Sequence, residues 1–330
     1  NVSSVTSGYG GADRFMFNRS GAAVVTIRQQ GTGNSPTDQG FGFSQQFDVT
    51  TADSSLAAGD YARISYRFEG QDLQLLKKGT ANAEQLTLSF FVKSPKTGTH
   101  IVELVDQTNS RHVNLSYTVS SANTYEKKTI TFPADTTGTI SNDNGRRMDL
   151  NWYLAAGSTY SSGTLQTSWG SDTNANRAVG QVNCVDSTDN AFFLTGVQLE
   201  VGSVATDFEH RSIAEELTLC QRYFFKWESN QSYSVMGTGI MTSSTNVDFT
   251  FSLPQTMRAS PSFSSSGSFR IVGYENGSQY AQALSSFSMT RSHPLTPYLR
   301  GVISGGTGGA VGEFGDNGSN NATASFSAEL

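Results

Sequence analysis

The chain has 330 residues, a length typical of about two domains, and 15% of them are charged. Its net charge of −6 and its lack of a basic stripe argue against an electrostatic grip on nucleic acid or on an anionic membrane surface. No run approaches the ~18 apolar residues that span a bilayer, and we expect no signal peptide in the first residues.

Short strands are predicted throughout residues 1–206. Apolar and polar residues alternate with a period of two in the clearest segments, 62–68 and 126–132, as they do in half-buried strands. Gly, Asn, Ser and Pro clusters separate the segments. About ten such strands without a helical pattern predict a jelly-roll β-sandwich. The predicted strands are 13–18, 23–28, 41–47, 62–68, 85–93, 100–105, 112–119, 126–132, 148–154, 164–169 and 192–201.

The pattern changes from strand to helix and back within residues 190–227. Ser212 and Glu215 are spaced as the N-cap and N3 residues of a capping box, which marks the start of a helix. Four apolar positions behind this box fall on one helical stripe. They are Ile213, Leu217, Cys220 and Phe224. We therefore predict a linking loop and one short helix over residues 207–222.

A second, smaller β domain is predicted over residues 223–330. Its apolar residues are spread thinly among Gly, Ser and Thr, so we expect a poor independent core that gains if neighbouring subunits cover it. The predicted strands are 223–227, 247–251, 268–272, 285–290, 298–303 and 324–330. The predicted fold class is therefore all-β, with a jelly-roll sandwich, one linking helix and a smaller β domain.

The sequence offers no recognisable catalytic or metal-binding motif. Zinc spacing, a Walker sequence and a nucleophile elbow are all missing, so we expect neither a cofactor nor a metal. We predict that Glu209 and His210 form a polar latch rather than an acid–base pair, and that His100 and His112 lie on sheet surfaces. A carboxylate pair for glycoside hydrolysis stays open, because it depends on a separation in space.

The two cysteines could form one disulfide. Cys220 falls on the apolar stripe of the predicted helix. We therefore predict that Cys220 is a small buried residue that does not pair with Cys184.

A candidate ligand site begins at Trp169. This residue borders a polar loop that carries Asn174, Asn176 and Arg177. Aromatic rings combined with amide and guanidinium groups are a common way to bind a sugar. We predict a sugar-binding rim from these four residues, and the alternative is that Trp169 packs into its own sheet.

The linking region resembles a junction that is common in structural proteins of tailed bacteriophages, especially marine ones. The matching segments are LTGVQLEVG at 194–202, FEHRS at 208–212 and LCQRY at 219–223, with weaker matches at 12–14, 137–138, 142–145, 154–158 and 174–178. The junction residues are Glu209, His210, Arg211, Ser212, Glu215 and Arg222. This chain has Phe15 where the family often has Trp, and Asp207 where it often has Pro.

The resemblance implies a non-enzymatic virion appendage, such as a tail fibre or a head fibre, that is made in the bacterial cytoplasm. It implies a carbohydrate-binding-module-like sandwich whose partners are host surface polysaccharide and other virion proteins. It also implies a homotrimer whose C-terminal domains meet near the axis. Two alternatives stay open: a polysaccharide-degrading enzyme module from a virion or a secreted enzyme, and an architectural decoration protein of the capsid or tail.

Overall fold

The structure, a computed structural model, describes residues 2–5, 8–12, 14–31, 33–275, 278–306, 308–318 and 320–330. Asp13, the predicted start of the first strand, lies outside them. The chain divides into two compact units, residues 1–210 together with Leu330, and residues 211–329. Within the described residues, every helix is too short or too polar to cross a bilayer.

The first unit is a sandwich of two antiparallel sheets. Its strands are β1 Val2–Val5, β2 Gly8–Tyr9, β3 Phe15–Ser20, β4 Val24–Gln30, β5 Ser44–Thr51, β6 Tyr61–Glu69, β7 Leu86–Lys93, β8 Gly98–Asp106, β9 Arg111–Val119, β10 Glu126–Phe132, β11 Arg146–Ala156, β12 Gly170–Ser171 and β13 Ala191–Val201. The first sheet has the order β1-β4-β5-β13-β7-β10, and the second has the order β12-β9-β8-β11-β6-β3-β2. Short helical turns are α1 Ser158–Ser161 and the 3-10 helices Thr37–Gln39, Gly70–Leu76 and Asn174–Asn176.

Alternation along each strand sends one set of side chains into the core between these sheets. On β11, Leu150 and Trp152 are buried in that core, whereas Asn151 and Tyr153 lie on the opposite side of the sheet because successive side chains of a strand point to opposite faces.

The second unit begins with α2 Ile213–Gln221 and continues as a second sandwich. Its strands are β14 Phe224–Glu228, β15 Val235–Met241, β16 Asn246–Thr250, β17 Ser262–Ser266, β18 Phe269–Glu275, β19 Ser278–Ala283, β20 Ser286–Arg291, β21 Tyr298–Val302, β22 Val311–Asp316 and β23 Thr323–Ser327. They form a three-stranded sheet, β14-β23-β17, and a seven-stranded sheet, β19-β18-β22-β15-β16-β21-β20. The predicted all-β class, with a jelly-roll sandwich, a short helix and a smaller β unit, is confirmed.

The expectation of a poor core in the second unit is wrong. Phenylalanine rings pack closely between its sheets, with centroids 4.3 Å apart for Phe249 and Phe314 and 5.4 Å apart for Phe251 and Phe326. Both phenylalanines of each pair belong to one buried cluster. The apolar residues are thinly spread along the chain, but alternation places them on the same side of their strands.

The predicted strand at 164–169 is also wrong. This segment is irregular, because its backbone hydrogen bonds are divided between a facing loop and β9. Gln166 donates its N–H to the Asn176 carbonyl at 3.2 Å, and the Gln166 carbonyl accepts from the Asn114 N–H at 2.8 Å.

The linking helix has its predicted cap but lacks the predicted buried stripe. The Ser212 hydroxyl accepts from the Glu215 N–H at 3.3 Å, and the Glu215 carboxylate accepts from the Ser212 N–H at 3.0 Å. Ile213 is 86% exposed, and Phe224 already belongs to β14. Cys220 is half-buried rather than buried, and no disulfide joins the two cysteines.

Candidate functional site

The second sheet of the first unit carries a row of polar side chains on the face turned away from the core, which we call the outer face. The row crosses four adjacent strands and consists of Asn18, Ser65, Asn151 and Glu103. Each member donates to the next: the Asn18 amide to Ser65 Oγ at 2.9 Å, the Ser65 hydroxyl to Asn151 Oδ1 at 2.6 Å, and the Asn151 amide to Glu103 Oε2 at 2.8 Å. The last three lie directly opposite one another in the ladder, so strand pairing sets their spacing.

Glu103 ends this row and is fully buried. A buried carboxylate is costly unless it is paired and hydrogen-bonded. Arg177 Nη1 lies 2.5 Å from Glu103 Oε1, and the Asn114 amide donates to the same oxygen at 3.4 Å. The Tyr153 hydroxyl donates to Oε2 at 3.5 Å. Four groups therefore hold this carboxylate, counting the Asn151 amide.

One half of the outer face is covered by the segment that carries Arg177. Besides Glu103, the Arg177 guanidinium binds the Asp172 carboxylate, and its Nε donates to Asn174 Oδ1 at 3.2 Å. Burial lowers the pKa of Arg177, but the nearby Glu103, Tyr153 and Asp172 outweigh this effect and the pKa is raised. The segment is therefore fixed over β8 and β9 by a charged network.

His112 lies beneath this segment, so its predicted place on a sheet surface is wrong. It is fully buried. Its Nε2 accepts the Thr173 N–H at 3.1 Å, which leaves Nδ1 to donate to Asn114 Oδ1 at 2.5 Å. The buried tautomer therefore carries its proton on Nδ1, where it helps to orient Asn114 toward Glu103.

The other half of the outer face is open and is centred on Arg63. The Arg63 side chain is 22% exposed and lies between two rings, with its guanidinium carbon 5.1 Å from the centroid of Tyr61 and 6.0 Å from that of Tyr153. Tyr61 packs edge-on against Tyr160 at 5.4 Å, and Asn18 lies opposite Arg63 on β3. This half thus combines a half-exposed ring, an amide and a guanidinium, the groups that orient polar ligands in binding sites.

The predicted ligand residues do not form one rim around Trp169. Asn174 and Arg177 bond to each other, and Asn176 Oδ1 accepts the Thr164 N–H at 3.0 Å within the same segment. Trp169 instead packs against the core and donates from Nε1 to the Pro133 carbonyl at 2.8 Å. The pocket beside Trp169 has room for about one water molecule. A ligand role for these residues stays a prediction.

A buried Cys–His pair is the nearest approach to a nucleophile in the first unit. Cys184 Sγ lies 3.8 Å from His100 Nδ1, and both side chains are buried, so the predicted surface position of His100 is wrong. Burial raises the pKa of the Cys184 thiol to about 12 and lowers the pKa of His100. A thiol in this state is inert, because the thiolate is the reactive form. In the described part of the chain, no group of three His, Cys, Asp or Glu residues is placed to hold a metal ion.

Comparison with known proteins gives distant similarities of fold. No protein-family model and no curated protein matches the chain. The chain is similar to the enzymatically active domain of tailspike protein 4 of bacteriophage CBA120, at 12% identity and a TM-score of 0.32, over 57% of this chain and 19% of that one. It is also similar to the family 11 carbohydrate-binding module from Clostridium thermocellum, at 13% identity and a TM-score of 0.31, over 62% of this chain and 98% of that one. At these values neither similarity bears on what this chain binds.

The junction residues in the first unit make local contacts. Glu209 donates its N–H to Gln198 Oε1 at 2.8 Å, and the His210 ring lies 5.5 Å from that of Phe41. Gly196 has φ +58, and a Cβ there would lie 2.7 Å from the Phe41 ring. The glycine of the LTGVQLE segment is therefore required both by its backbone and by the ring beside it.

The remaining junction residues belong to the second unit. Ser212 and Glu215 form the helix cap described above, and Arg211 lies 3.4 Å from Glu216 on the exposed surface. The Arg222 carbonyl accepts the Arg258 N–H at 2.8 Å. Like the ligand role of the loop residues, the role of these six residues as a shared family junction stays a prediction.

Sequence reasoning missed Glu103 and Arg63, although each left a signal. Glu103 is a single charge inside the apolar run at 101–105, which is typical of a buried, paired carboxylate. Arg63 and Ser65 occupy alternate positions of a strand that was predicted, and so must share a face. The local pattern could not show the strand pairing that places Asn18 and Tyr153 beside Arg63.

Proposed function

We propose that the first unit binds a glycan on the open half of its outer face, and that the chain is a non-enzymatic component of a tailed-phage virion appendage. The observation that carries the glycan proposal is the combination of Tyr61, Arg63 and Asn18 at the open end of the polar row. A sugar ring can pack on the half-exposed tyrosine while its hydroxyls bond to the amide and the guanidinium. The phage proposal is supported by the sequence resemblance at the junction.

Binding of bacterial surface polysaccharides to the full chain tests the glycan proposal. In a glycan array, Tyr61→Ala and Asn18→Ala should each weaken binding by about fivefold, since each removes a contact of about 1 kcal/mol. Tyr233→Ala, at an exposed tyrosine of the second unit, is the matched control and should leave binding unchanged. Equal losses in all three variants, or no binding by the wild type, would contradict the proposal.

The non-enzymatic part of the proposal is supported by the state of the carboxylates on the outer face. Glu103 is held by a guanidinium and amides, and Asp172 is bonded to Arg177. Neither is free to act as a general acid or base without breaking an ion pair. Incubation with the polysaccharide that binds best should leave its chain length unchanged, and reproducible shortening would favour the degrading-enzyme alternative.

We also propose that the chain assembles with itself, as a homotrimer, and with other virion proteins. Support comes from apolar residues left at the surface of the second unit, where Ile240 and Val311 lie directly opposite each other on neighbouring strands and are 45% and 52% exposed. Contiguous apolar surface of this kind marks protein contacts. Light scattering should give about three times 35.4 kDa, and Ile240→Lys should lower that mass. A stable wild-type species near 35.4 kDa would refute the trimer. The association with other virion proteins needs a separate test, and mass spectrometry of purified virions would show whether the chain is present in the particle.

A further inference from the structure

Arg63 is hydrogen-bonded to the Tyr153 hydroxyl, but no described carboxylate lies within hydrogen-bond distance of its guanidinium. Its Nη1 lies 3.8 Å from Glu103 Oε2, beyond hydrogen-bond distance. Within the described residues, its Nε is buried without a hydrogen-bond partner. Each of the three guanidinium nitrogens of Arg177, on the covered half, donates to a partner. The partners are Glu103, Asp172 and Asn174. Arg63 therefore keeps N–H donors for a ligand, whereas the guanidinium nitrogens of Arg177 are already engaged.

Glu103 forms no direct hydrogen bond with Arg63, because its oxygens are already engaged. Arg177 takes Oε1 at 2.5 Å, and the Asn151 amide takes Oε2 at 2.8 Å. Asp172 is bonded to Arg177 on the covered half. The charges of Arg63, Arg177, Glu103 and Asp172 sum to zero, but Arg63 is the one of the four that lies on the open half, and the chain as a whole has a net charge of −6. Screening at physiological salt limits that overall charge to a range of about 8 Å, so the local charge governs close recognition.

The guanidinium is held ready for a planar, charged ligand. The rings of Tyr61 and Tyr153 flank it and limit its rotamers, which reduces the entropy lost on binding. Its N–H donors form a planar fork that matches the two oxygens of a carboxylate. A neutral hydroxyl could meet one donor, but it would leave the charge and the remaining donors unmet.

We propose that the open half of the outer face binds a carboxylate-bearing sugar, of the uronic acid class, with the carboxylate on Arg63. The sugar ring packs against Tyr61, which is braced by Tyr160, and a hydroxyl bonds to Asn18. This inference rests on the proposed glycan binding and names the class of glycan.

Affinity electrophoresis of the full chain can test the uronic acid class of ligand separately from glycan binding in general. The three probes are polygalacturonate, the same polymer with its carboxyl groups reduced to alcohols, and dextran sulfate. We expect retardation by polygalacturonate, with at least about tenfold weaker binding to the reduced polymer, which has lost its charge, and to dextran sulfate. A planar carboxylate fits between the two tyrosine rings that flank Arg63, whereas a sulfate ester that pairs with the guanidinium holds a third oxygen out of its plane.

Variants locate the effect. Arg63→Gln should weaken binding to polygalacturonate by about tenfold or more, and Arg63→Lys should fall between Arg63→Gln and the wild type, because it keeps the charge but loses the planar fork. Arg211→Gln, which removes an exposed arginine of the second unit, is the matched control and should change nothing. Melting curves verify that each variant folds.

Four outcomes would overturn the inference. Equal binding to polygalacturonate and to its reduced form would rule out the uronic acid class of ligand but not glycan binding itself. Equal losses from Arg63→Gln and Arg211→Gln, or equal binding to dextran sulfate, would show attraction by charge alone. No binding to any of the polymers, or to the array of bacterial polysaccharides, would overturn both proposals together.

Discussion

The two sandwiches of this chain differ in the second side of their seven-stranded sheets. In the first unit that side carries the row from Asn18 to Glu103, half covered and half open. In the second unit it carries exposed aliphatic residues, Ile240 and Val311, beside the ion pair of Asp248 and Arg300. In both units, alternate residues of each strand fill the core. The two sheets therefore differ in the residues that point away from the core. Polar residues there suit a polar ligand, and aliphatic residues suit another protein surface.

The largest expected effect comes from breaking the covered half of the first unit. Arg177→Met leaves Glu103 buried without its main partner, so the free energy of unfolding should fall by about 3–5 kcal/mol. Urea denaturation followed by tryptophan fluorescence would measure this change. Arg63→Met, on the open half of the same sheet, is the control and should cost less, because Arg63 makes no direct hydrogen bond to Glu103. Similar losses from both variants would contradict the distinction between the halves.

A medium effect, dependent on pH, is expected in the second unit. Arg300 donates to both oxygens of Asp248 at 2.6 and 2.7 Å, and these hydrogen bonds hold the pKa of Asp248 below its ordinary value. A carboxyl whose pKa is lower in the folded state stabilises the protein above its unfolded pKa of ~3.9, and this stabilisation is lost as the pH falls through the folded pKa.

Asp248→Asn should therefore cost about 1.5–3 kcal/mol at pH 7, and the difference from the wild type should shrink toward pH 2. Thermal melts across that range would measure it. Arg300→Gln removes the other partner and should give the same flattened acid profile. A difference that stayed constant with pH would mean that the ion pair does not set the acid sensitivity of this unit.

The smallest effect is expected at the cap of α2. Ser212→Ala removes the hydroxyl that accepts the Glu215 N–H, and N-cap losses of this kind cost about 1 kcal/mol. Because no residue of this helix is buried, the cap should account for much of its local stability. Hydrogen exchange of the first-turn amides should accelerate. Thr218→Ala, whose hydroxyl donates to the Ala214 carbonyl, is the control, and equal acceleration there would argue against the cap.

The contrast between the units also shows what the sequence could predict. Alternation at 62–68 identified a strand and the residues that share its faces, and the cap at Ser212 marked the helix start. The strands Val235–Met241 and Ser262–Ser266 escaped prediction, because they contain Gly or Ser where strand formers are expected. Pairing with neighbours overrides such weak local preference.

The candidate site was harder to predict than the fold. The polar loop at 171–181 suggested a ligand for Arg177, yet that guanidinium binds Glu103, 74 residues away. Arg63 acquires its surroundings from Asn18 and Tyr153, on two other strands. Local patterns reveal which way a side chain points, but only the strand order determines which charges meet.

The place of β13 in the first sheet has a consequence for synthesis. This strand lies between β5 and β7, yet it leaves the ribosome about a hundred residues after β7, or several seconds later at ~5–20 residues per second. Until then the facing edges of β5 and β7 have no partner, and unpaired edges recruit foreign strands. Nascent chains stalled before residue 191 should therefore recruit chaperones, and release of the chaperone should coincide with the emergence of β13.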